Sequence, residues 1–396
     1  MSFKPIFITL FCLLIFSCSH KITNQNISGN TDNVEQIDIK SWLELTDKLY
    51  ARNIRSPKLQ IDNKDYPIWI LNKSQNLIFN FDILGEEKKD YQISIIRCDI
   101  NWEASLQTIY EGALTRQSIQ NLYDSYNLEL TNTTLAVKES GNYLIIVFAK
   151  YEAQPIISKR FLVSEDRLNI TGRITRPVSY EYKNRYQAVQ YKIALENFKT
   201  NDPFEDFETV IVQNWQWQNK IHNFSPSIIQ DNTLIYDYPK KNFFGGGKPF
   251  RQITIRNKGL QINDEPRSFK KYKNSTDKHG LFSIKENANY IKTIFNLNMA
   301  SPLNNNEHIY IYGELSNWNL NPDFELKYDS TAKHYTASIL LKEGIYDYQY
   351  ALIQDGKTID LNFIEGNSSL TTNKYHILVY HKLVNSYRLL KVKAID

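Results

Sequence analysis

The chain has 396 residues, and hydrophobic residues make up 42% of it, so it can bury substantial cores and is not intrinsically disordered. Its formal net charge is +4, and 47 basic against 43 acidic side chains leave little excess for the concentrated basic surface that nucleic-acid binding needs. Aromatic residues make up 13%, including 26 tyrosines, and this composition favours β-strands. At this length roughly two to four domains are expected.

The first residues have the pattern of a secretory leader. A short start carrying Lys4 precedes an apolar run over 6–16, which is too short to span a membrane stably. The run that follows, I-F-S-C at 15–18, resembles a bacterial lipobox. The sequence therefore predicts a lipoprotein signal peptide over 1–17 and lipid attachment at Cys18. An ordinary signal peptide with a chance cysteine is the alternative.

The segment after the leader is polar and rich in Asn, without an apolar period. We predict that residues 18–50 form a flexible tether between the lipid and a folded body. Apart from Cys12 in the leader and Cys18, the chain contains one cysteine, Cys98, which cannot form an internal disulfide alone. Its position at the end of an apolar run predicts a buried thiol in a strand.

The folded part begins near Asn53 with strand patterns. Apolar and polar side chains alternate over 77–83, and Tyr91, Ile93 and Ile95 repeat the period of two. The stretch 143–149 is wholly apolar, as expected for a strand that is buried on both faces. These patterns predict an N-terminal β-sandwich over residues 51–166.

Two further β-rich regions are predicted. A middle domain over 167–289 has strands at 188–195, 209–217 and 251–257, separated by prolines and the run Gly245-Gly246-Gly247. A C-terminal early-set-like sandwich over 290–396 has strands at 309–313, 336–341, 345–353 and 375–380. The predicted fold class is all-β: tandem immunoglobulin-like, early-set β-sandwich domains with little helix.

The sequence allows two interpretations for each of three features. The basic segment from Arg267 to His279 is either a solvated hairpin or a contact with an acidic partner or lipid headgroups. Trp215 and Trp217 are predicted to share a strand face, either in the core or in a contact. A stripe of tyrosines shares one face of the strand 345–353, which indicates core packing or a ligand platform: Tyr346, Tyr348 and Tyr350.

The sequence contains no constellation typical of an enzyme. It has no G-x-S-x-G nucleophile elbow, H-E-x-x-H zinc helix or G-x-x-x-x-G-K-S/T phosphate loop. His376 and His381 are predicted on opposite faces of one strand, so they cannot share a metal. The pair Glu86-Glu87 lies in a charged loop without an apolar pocket. We therefore predict no catalytic residue, no metal site and no cofactor, and a protein that is not an enzyme.

Short sequence blocks in a fixed order give the chain a resemblance to a known family. In the first region they are N-I-R-S at 53–56, Y-P-I at 66–68, residues 77–81, C-D-I-N-W at 98–102, S-G-N-Y-L at 140–144 and R-F-L-V at 160–163. Later they are V-Q-N-W-Q-W at 212–217, F-G-G-G-K-P-F-R at 244–251, G-E-L-S-N-W at 313–318, N-P at 321–322 and I-E-G-N at 364–367. In this order they resemble the plug proteins of the type IX secretion system over nearly all of the chain after the tether. Lys248-Pro249 stands where that family usually has polar residues.

The resemblance implies a steric function. Plug proteins of this family cap the periplasmic end of a large outer-membrane β-barrel translocon and prevent leakage when no substrate passes. Such a chain would lie at the outer membrane on its periplasmic face. The lipobox at Cys18 separately predicts that an acylated N-terminus holds it in the lipid bilayer. The residues that contact the translocon are not indicated by the sequence.

A second hypothesis comes from the C-terminal region. The G-E-L-S-N-W block and the tyrosine-rich strand after it also resemble sandwich modules that bind starch or glycogen. In that reading Trp318 would stack on a sugar ring, and the protein would be a surface or periplasmic lipoprotein that binds glycan. A lipoprotein chaperone or assembly factor is a third alternative.

Overall fold

The computed structural model describes residues 44–396, apart from gaps at 65, 86–88, 104, 120–122, 197, 224, 239–240, 257, 269–282, 285–287, 300 and 357. Cys18 and the leader lie outside the described residues, as do Glu86, Glu87 and positions 269–279 of the basic segment.

Strands lie where the sequence alternates between apolar and polar side chains. Those of the N-terminal part are β1 (Lys48–Leu49), β2 (Ile54–Ile61), β3 (Ile68–Ile70), β4 (Asn76–Leu84), β5 (Tyr91–Cys98), β6 (Ser105–Ala113), β7 (Thr115–Ile119), β8 (Tyr123–Thr131), β9 (Gly141–Ala149) and β10 (Pro155–Ser164). Next come β11 (Asn169–Thr175), β12 (Tyr186–Ala194), β13 (Phe207–Gln213), β14 (Lys220–Asn223), β15 (Ile228–Gln230), β16 (Thr233–Tyr236), β17 (Phe243–Gly245), β18 (Arg251–Ile255), β19 (Leu260–Asp264) and β20 (Ser283–Ile284). The last are β21 (Tyr290–Asn298), β22 (Glu307–Gly313), β23 (Glu325–Asp329), β24 (His334–Lys342), β25 (Gly344–Gln354), β26 (Thr358–Asp360), β27 (Tyr375–Lys382) and β28 (Tyr387–Ile395).

Helix is confined to short segments in the described part of the chain: α1 (Asn362–Glu365) and the 3₁₀ turns Glu314–Ser316 and Pro322–Phe324. The predicted all-β class, with tandem sandwiches and little helix, is confirmed. Among the described residues, no helix has the length and apolar character needed to cross a bilayer.

Two sheets form the N-terminal sandwich. Sheet 1 has the order β2-β4-β8-β7, and sheet 2 has the order β1-β10-β9-β5-β6, with β3 added beside β10. Strand β1 pairs with β10, so Lys48 and Leu49 belong to the folded body although the predicted tether runs to residue 50. Alternate side chains of β4 and β9 fill the space between the two sheets: Leu77, Phe79, Phe81, Tyr143, Ile145 and Val147.

The middle sandwich includes the end of the chain. Sheet 3 has the order β11-β12-β16-β15 with β17 beside β12, and sheet 4 has the order β14-β13-β27-β28. The prediction assigned 375–380 to the C-terminal domain, but this strand pairs along its length with β13. The physical reason is that β27 is apolar on both faces and needs a central position. Ile377 and Val379 face sheet 3, whereas Leu378 faces the N-terminal sandwich.

Sheets 2 and 4 pack face to face, so the N-terminal and middle sandwiches form four consecutive layers. The side chains of β9 that point away from its own core meet those of β13 and β27 in a shared apolar cluster, which includes Leu144, Ile146, Val210, Val212 and Leu378. The wholly apolar sequence of β9 is explained by this double burial. Each such side chain contributes roughly 1.5–3 kcal/mol on leaving water.

The third sandwich is built from one sheet of nine strands among the described residues, with the main order β18-β25-β22-β23-β24-β21-β19. Strand β18 pairs with β25, although the prediction placed 251–257 in the middle domain. Tyr346, Tyr348 and Tyr350 of β25 lie in its core, so the tyrosine stripe is used for packing.

Candidate functional site

A groove of about 890 Å³ lies where the three sandwiches meet. Its walls include the edge strands β2 and β3 of the N-terminal sandwich, the turn after β13, and the segment around Asn317 and Trp318 of the third sandwich. Because these segments are far apart in the sequence, the groove exists only in the assembled body.

Four aromatic rings line one wall of the groove, and a fifth, Trp102, contacts Trp217. Neighbouring rings meet tilted or edge to face, and the set is here called the aromatic ladder: Trp102, Trp217, Trp215, His376 and Tyr66. Neighbouring ring centroids are 5.4 Å apart for Trp102 and Trp217, and 4.4 Å apart for Tyr66 and His376. Rings at such distances add stabilisation beyond the apolar area that they bury. Except for His376, the ladder is drawn from blocks that carry the family resemblance, and those blocks meet here in space.

The aromatic ladder corrects the prediction that Trp215 and Trp217 share a strand face. Strand β13 ends at Gln213, and Asn214 and Trp215 adopt φ values of 49° and 60°, which turn the chain. Trp217 is buried against Trp102, whereas Trp215 is only partly buried and lines the groove.

Cations cover both ends of the aromatic ladder. The Arg160 guanidinium lies 4.6 Å from the ring centroid of Trp102 and also donates to the carbonyl of Leu45 at 2.9 Å. The Lys374 ammonium lies 5.3 Å from the ring centroid of Tyr66. Burial lowers the pKa of Arg160, and burial together with the Arg160 charge lowers the pKa of Lys220 nearby.

His376 is the most enclosed member of the aromatic ladder. It is 1% exposed, and its ring lies 4.8 Å from that of Trp215. Burial and, second, the Lys374 charge lower its pKa to about 3, so the ring is neutral at physiological pH. His381 instead contacts Phe198 and Phe207. The structure therefore does not bring the two histidines together.

Basic side chains outnumber acidic ones along the groove. The basic residues that line it are Lys58, Lys64, Lys159, Arg160, Lys220 and Lys374. The acidic ones are Asp47, Glu314 and Asp347. Each of these carboxylates already accepts a hydrogen bond inside the protein: from the N–H of Arg160 at 2.7 Å, the N–H of Asp347 at 2.7 Å and the Gln252 amide at 3.1 Å.

Several buried polar atoms beside the groove have no hydrogen-bond partner among the described residues: Trp217 Nε1, Asn317 Nδ2 and both ring nitrogens of His376. Unsatisfied buried groups are uncommon in folded proteins because each costs roughly 1–3 kcal/mol.

Cys98 and Asn142 join the N-terminal sandwich to the middle one. Tyr387 Oη donates to the carbonyl of Cys98 at 2.5 Å, and Tyr380 Oη donates to the Asn142 side-chain oxygen at 2.8 Å. Cys98 is fully buried in β5, as predicted, and burial raises the pKa of its thiol to about 12. These blocks therefore contribute to assembly of the body.

The glycine run at 245–247 packs against the I-E-G-N block. Gly247 donates its N–H to the Asn367 side chain at 2.8 Å, and a Cβ on Gly246 would lie 2.1 Å from the carbonyl oxygen of Ser368. Glu365 nearby pairs with Arg251 at 2.9 Å and with Arg267 at 3.4 Å. Arg267, the first residue of the basic segment, is thus held in this cluster.

Trp318, the residue proposed for glycan stacking, lines the groove in a partly buried position. Its ring centroid is 4.9 Å from that of Phe250 and 5.4 Å from that of Tyr312. Among the described residues, no group of three or more His, Cys, Asp or Glu side chains is placed to hold a metal ion. The groove residues Lys159 and Lys374 were missed by sequence reasoning, since no local pattern connects them.

The comparisons with known proteins agree with this architecture. No curated protein sequence matches the chain. A crystal structure of a hypothetical protein from Parabacteroides merdae ATCC 43184 superposes with a TM-score of 0.78 and 24% identity, covering 89% of this chain and 99% of that one. This likeness shows the fold alone. Pseudomonas fluorescens alkylpurine DNA glycosylase AlkC, bound to DNA with an abasic site analog, aligns at a TM-score of 0.19 and 12% identity, over 28% of this chain and 31% of that one. The second alignment carries no argument.

Residues 54–165 match the family described as Type 9 secretion system plug protein 1st domain. The matched residues run from the start of β2 to just beyond the end of β10, and they contribute Tyr66, Trp102 and Arg160 to the aromatic ladder and its cations. The resemblance predicted from the sequence is confirmed. The N-terminal sandwich of this chain is thus similar to the first domain of type 9 secretion system plug proteins.

Proposed function

We propose that this chain closes the outer-membrane translocon of the type IX secretion system from the periplasmic side. The observation that carries the proposal is the match of residues 54–165 to the first domain of the plug family. Closure is steric: a folded body occupies the opening and excludes solutes. No catalytic step is needed.

The arrangement of the sandwiches supports a steric function because it makes a stiff body. Sheet 2 is covered on both faces, by sheet 1 and by sheet 4. The third sandwich is attached by a buried ion pair between Asp82 and Lys342 at 2.8 Å. Tyr290 also donates to Asp82 at 2.7 Å. A body joined in this way resists deformation at a pore mouth.

Lipid attachment at Cys18 would keep the plug beside its pore. A tethered binder has a high effective concentration near its target without further contacts. We expect Cys18→Ala to move the protein from the membrane fraction to the soluble periplasm, as measured by fractionation and immunoblotting. If the variant stays in the membrane fraction, partner binding and not lipid holds it there.

The proposed partner is tested by affinity purification of the tagged protein from gently solubilised outer membranes, followed by mass spectrometry. We expect one very large outer-membrane β-barrel to be enriched over an untagged control. Enrichment of sugar-uptake components would favour the glycan alternative at Trp318. Recovery of the bait alone would contradict a stable plug complex.

A further inference from the structure

The groove between the sandwiches carries positive charge that the fold does not neutralise. Lys159 donates to the Asn317 side chain at 2.5 Å, and Lys374 lies over Tyr66. Neither lysine forms an ion pair with another residue in the part of the chain that the structure describes, whereas Arg160 interacts with the charge of Asp47. The three acidic residues of the groove are engaged by main-chain or amide N–H groups. A ligand that complements this surface must be acidic and rich in hydrogen-bond acceptors.

The groove also presents strand edges. Strand β2 is at the edge of sheet 1, and β3 adds to β10 at the edge of sheet 2; both contribute lining residues, including Lys58 and Ile68. The main-chain N–H and C=O groups on the outer side of an edge strand can pair with an additional strand. In β3 the N–H of Ile68 already donates to the carbonyl of Tyr66 and the N–H of Ile70 to the Gln75 side chain, so β2 is the edge considered for pairing. Extended peptides are commonly bound by pairing with such an edge.

The aromatic rings of the groove favour a peptide over a saccharide. Trp318 contacts Phe250 and Tyr312, and Trp215 contacts Tyr66, Trp217 and His376. The rings are thus packed edge to face with each other and do not form a row of parallel platforms. Such a surface suits the apolar side chains that alternate with acidic ones along an extended segment.

We propose that the groove binds an extended acidic segment of a partner protein, with carboxylates facing Lys159 and Lys374 and the main chain beside β2. This goes beyond the proposed plug function, because a peptide groove can operate in a protein that closes no pore. If the groove binds no peptide, the proposal of steric closure still stands. If the protein closes no pore, the proposal of a peptide groove still stands.

The test uses the purified full-length protein and a fluorescein-labelled peptide of alternating Glu and Val. The matched control peptide has Gln in place of every Glu. Fluorescence anisotropy is expected to show binding of the Glu peptide that weakens with added sodium chloride, and binding about tenfold or more weaker for the Gln peptide. Equal affinity for the two peptides, or no binding of either, would overturn the proposal.

Variants that remove single positive charges test whether the peptide binds in the groove. Lys159→Gln and Lys374→Gln are each expected to weaken the affinity for the Glu peptide by about tenfold. Lys183→Gln, which removes an exposed lysine outside the groove, is the matched control and should leave the affinity unchanged. Circular dichroism confirms that each variant is folded. Equal effects at all three lysines would show nonspecific attraction and contradict the proposal.

Hydrogen exchange separates a bound peptide from a bound anionic saccharide. The Glu peptide is expected to slow exchange of main-chain amides in β2. If dextran sulfate fragments bind at Lys159 and Lys374 while the Glu peptide does not, the occupant is a saccharide and the proposal is wrong. The proposal is also wrong if the peptide binds without protecting β2.

Discussion

At the scale of single residues, His376 shows how the fold sets a side chain's chemistry. It lies between Tyr66 and Trp215 with both nitrogens unpartnered among the described residues. Burial disfavours the charged ring, and Lys374 adds to this effect, so the pKa falls from 6.5 to about 3. The histidine therefore serves as a neutral aromatic ring.

This depressed pKa predicts acid sensitivity. Below pH 6.5 the unfolded chain takes up a proton at His376, while the folded chain does not until about pH 3. The contribution of His376 to the free energy of unfolding is therefore fully present above pH 6.5. It decreases as the pH falls from 6.5 to about 3, by up to ~1.4 kcal/mol per pH unit. His376→Phe should lose less stability than wild type on acidification. Urea unfolding at neutral and acidic pH, followed by tryptophan fluorescence, measures the difference.

The control for this prediction is His334→Phe, which replaces a partly exposed histidine of β24 outside the aromatic ladder. It should keep the acid sensitivity of the wild type. The same loss of stability on acidification in His376→Phe and wild type would contradict the assignment.

At the scale of elements, strand positions could be predicted but their partners could not. The predicted strand 345–353 lies within β25, and 375–380 lies within β27, because side-chain alternation depends on local sequence. Which sheet a strand joins depends on contacts far away: β27 pairs with β13, and β18 pairs with β25. Trp215 was misassigned because a left-handed turn at a bulky residue leaves no signal in the alternation.

The glycine run after β17 is a second element whose role depends on a distant contact. Gly246 has no space for a side chain, since Ser368 main-chain atoms would lie 2.1 and 2.7 Å from its Cβ. Gly246→Ala should lower the free energy of unfolding by about 1–3 kcal/mol or more. Thermal or urea unfolding gives the value directly.

Gly247→Ala is the matched control. It has φ of +61° and open space around the position of a Cβ, so only backbone strain of about 1 kcal/mol is expected. A loss at Gly246 no larger than that at Gly247 would show that the contact with Ser368 is not tight.

At the scale of the whole molecule, the groove could not be predicted because it belongs to no single domain. Tyr66, Trp215 and Trp318 come from the N-terminal, middle and third sandwiches respectively. The sequence indicated each as a block of the family resemblance, and the structure shows that these blocks converge. The blocks therefore have a common structural role, which is to join the three sandwiches into one body.

Substitution of Asp82 tests how the third sandwich is attached to the N-terminal one. Its carboxylate and the Lys342 ammonium are 3% and 7% exposed, and Lys342 also lies 4.9 Å from the ring centroid of Tyr123. Asp82→Ala leaves this ammonium buried without its partner and should lower the free energy of unfolding by about 3–5 kcal/mol. Denaturant unfolding measures the loss.

The double variant Asp82→Leu with Lys342→Met is the control, because it removes both charges and keeps apolar volume. It should regain much of the stability, since replacing a whole buried pair is often nearly neutral. If the double variant is as unstable as Asp82→Ala, packing and not the unpaired charge explains the loss.

The central claim is that this body closes a pore, and outer-membrane permeability tests it most directly. Entry of a large hydrophilic antibiotic is compared in cells with the protein, without it, and without both the protein and the translocon. The account predicts increased entry when the protein alone is missing, and a return to the original level when the translocon is missing too. Unchanged entry without the protein, or increased entry that persists without the translocon, would contradict it.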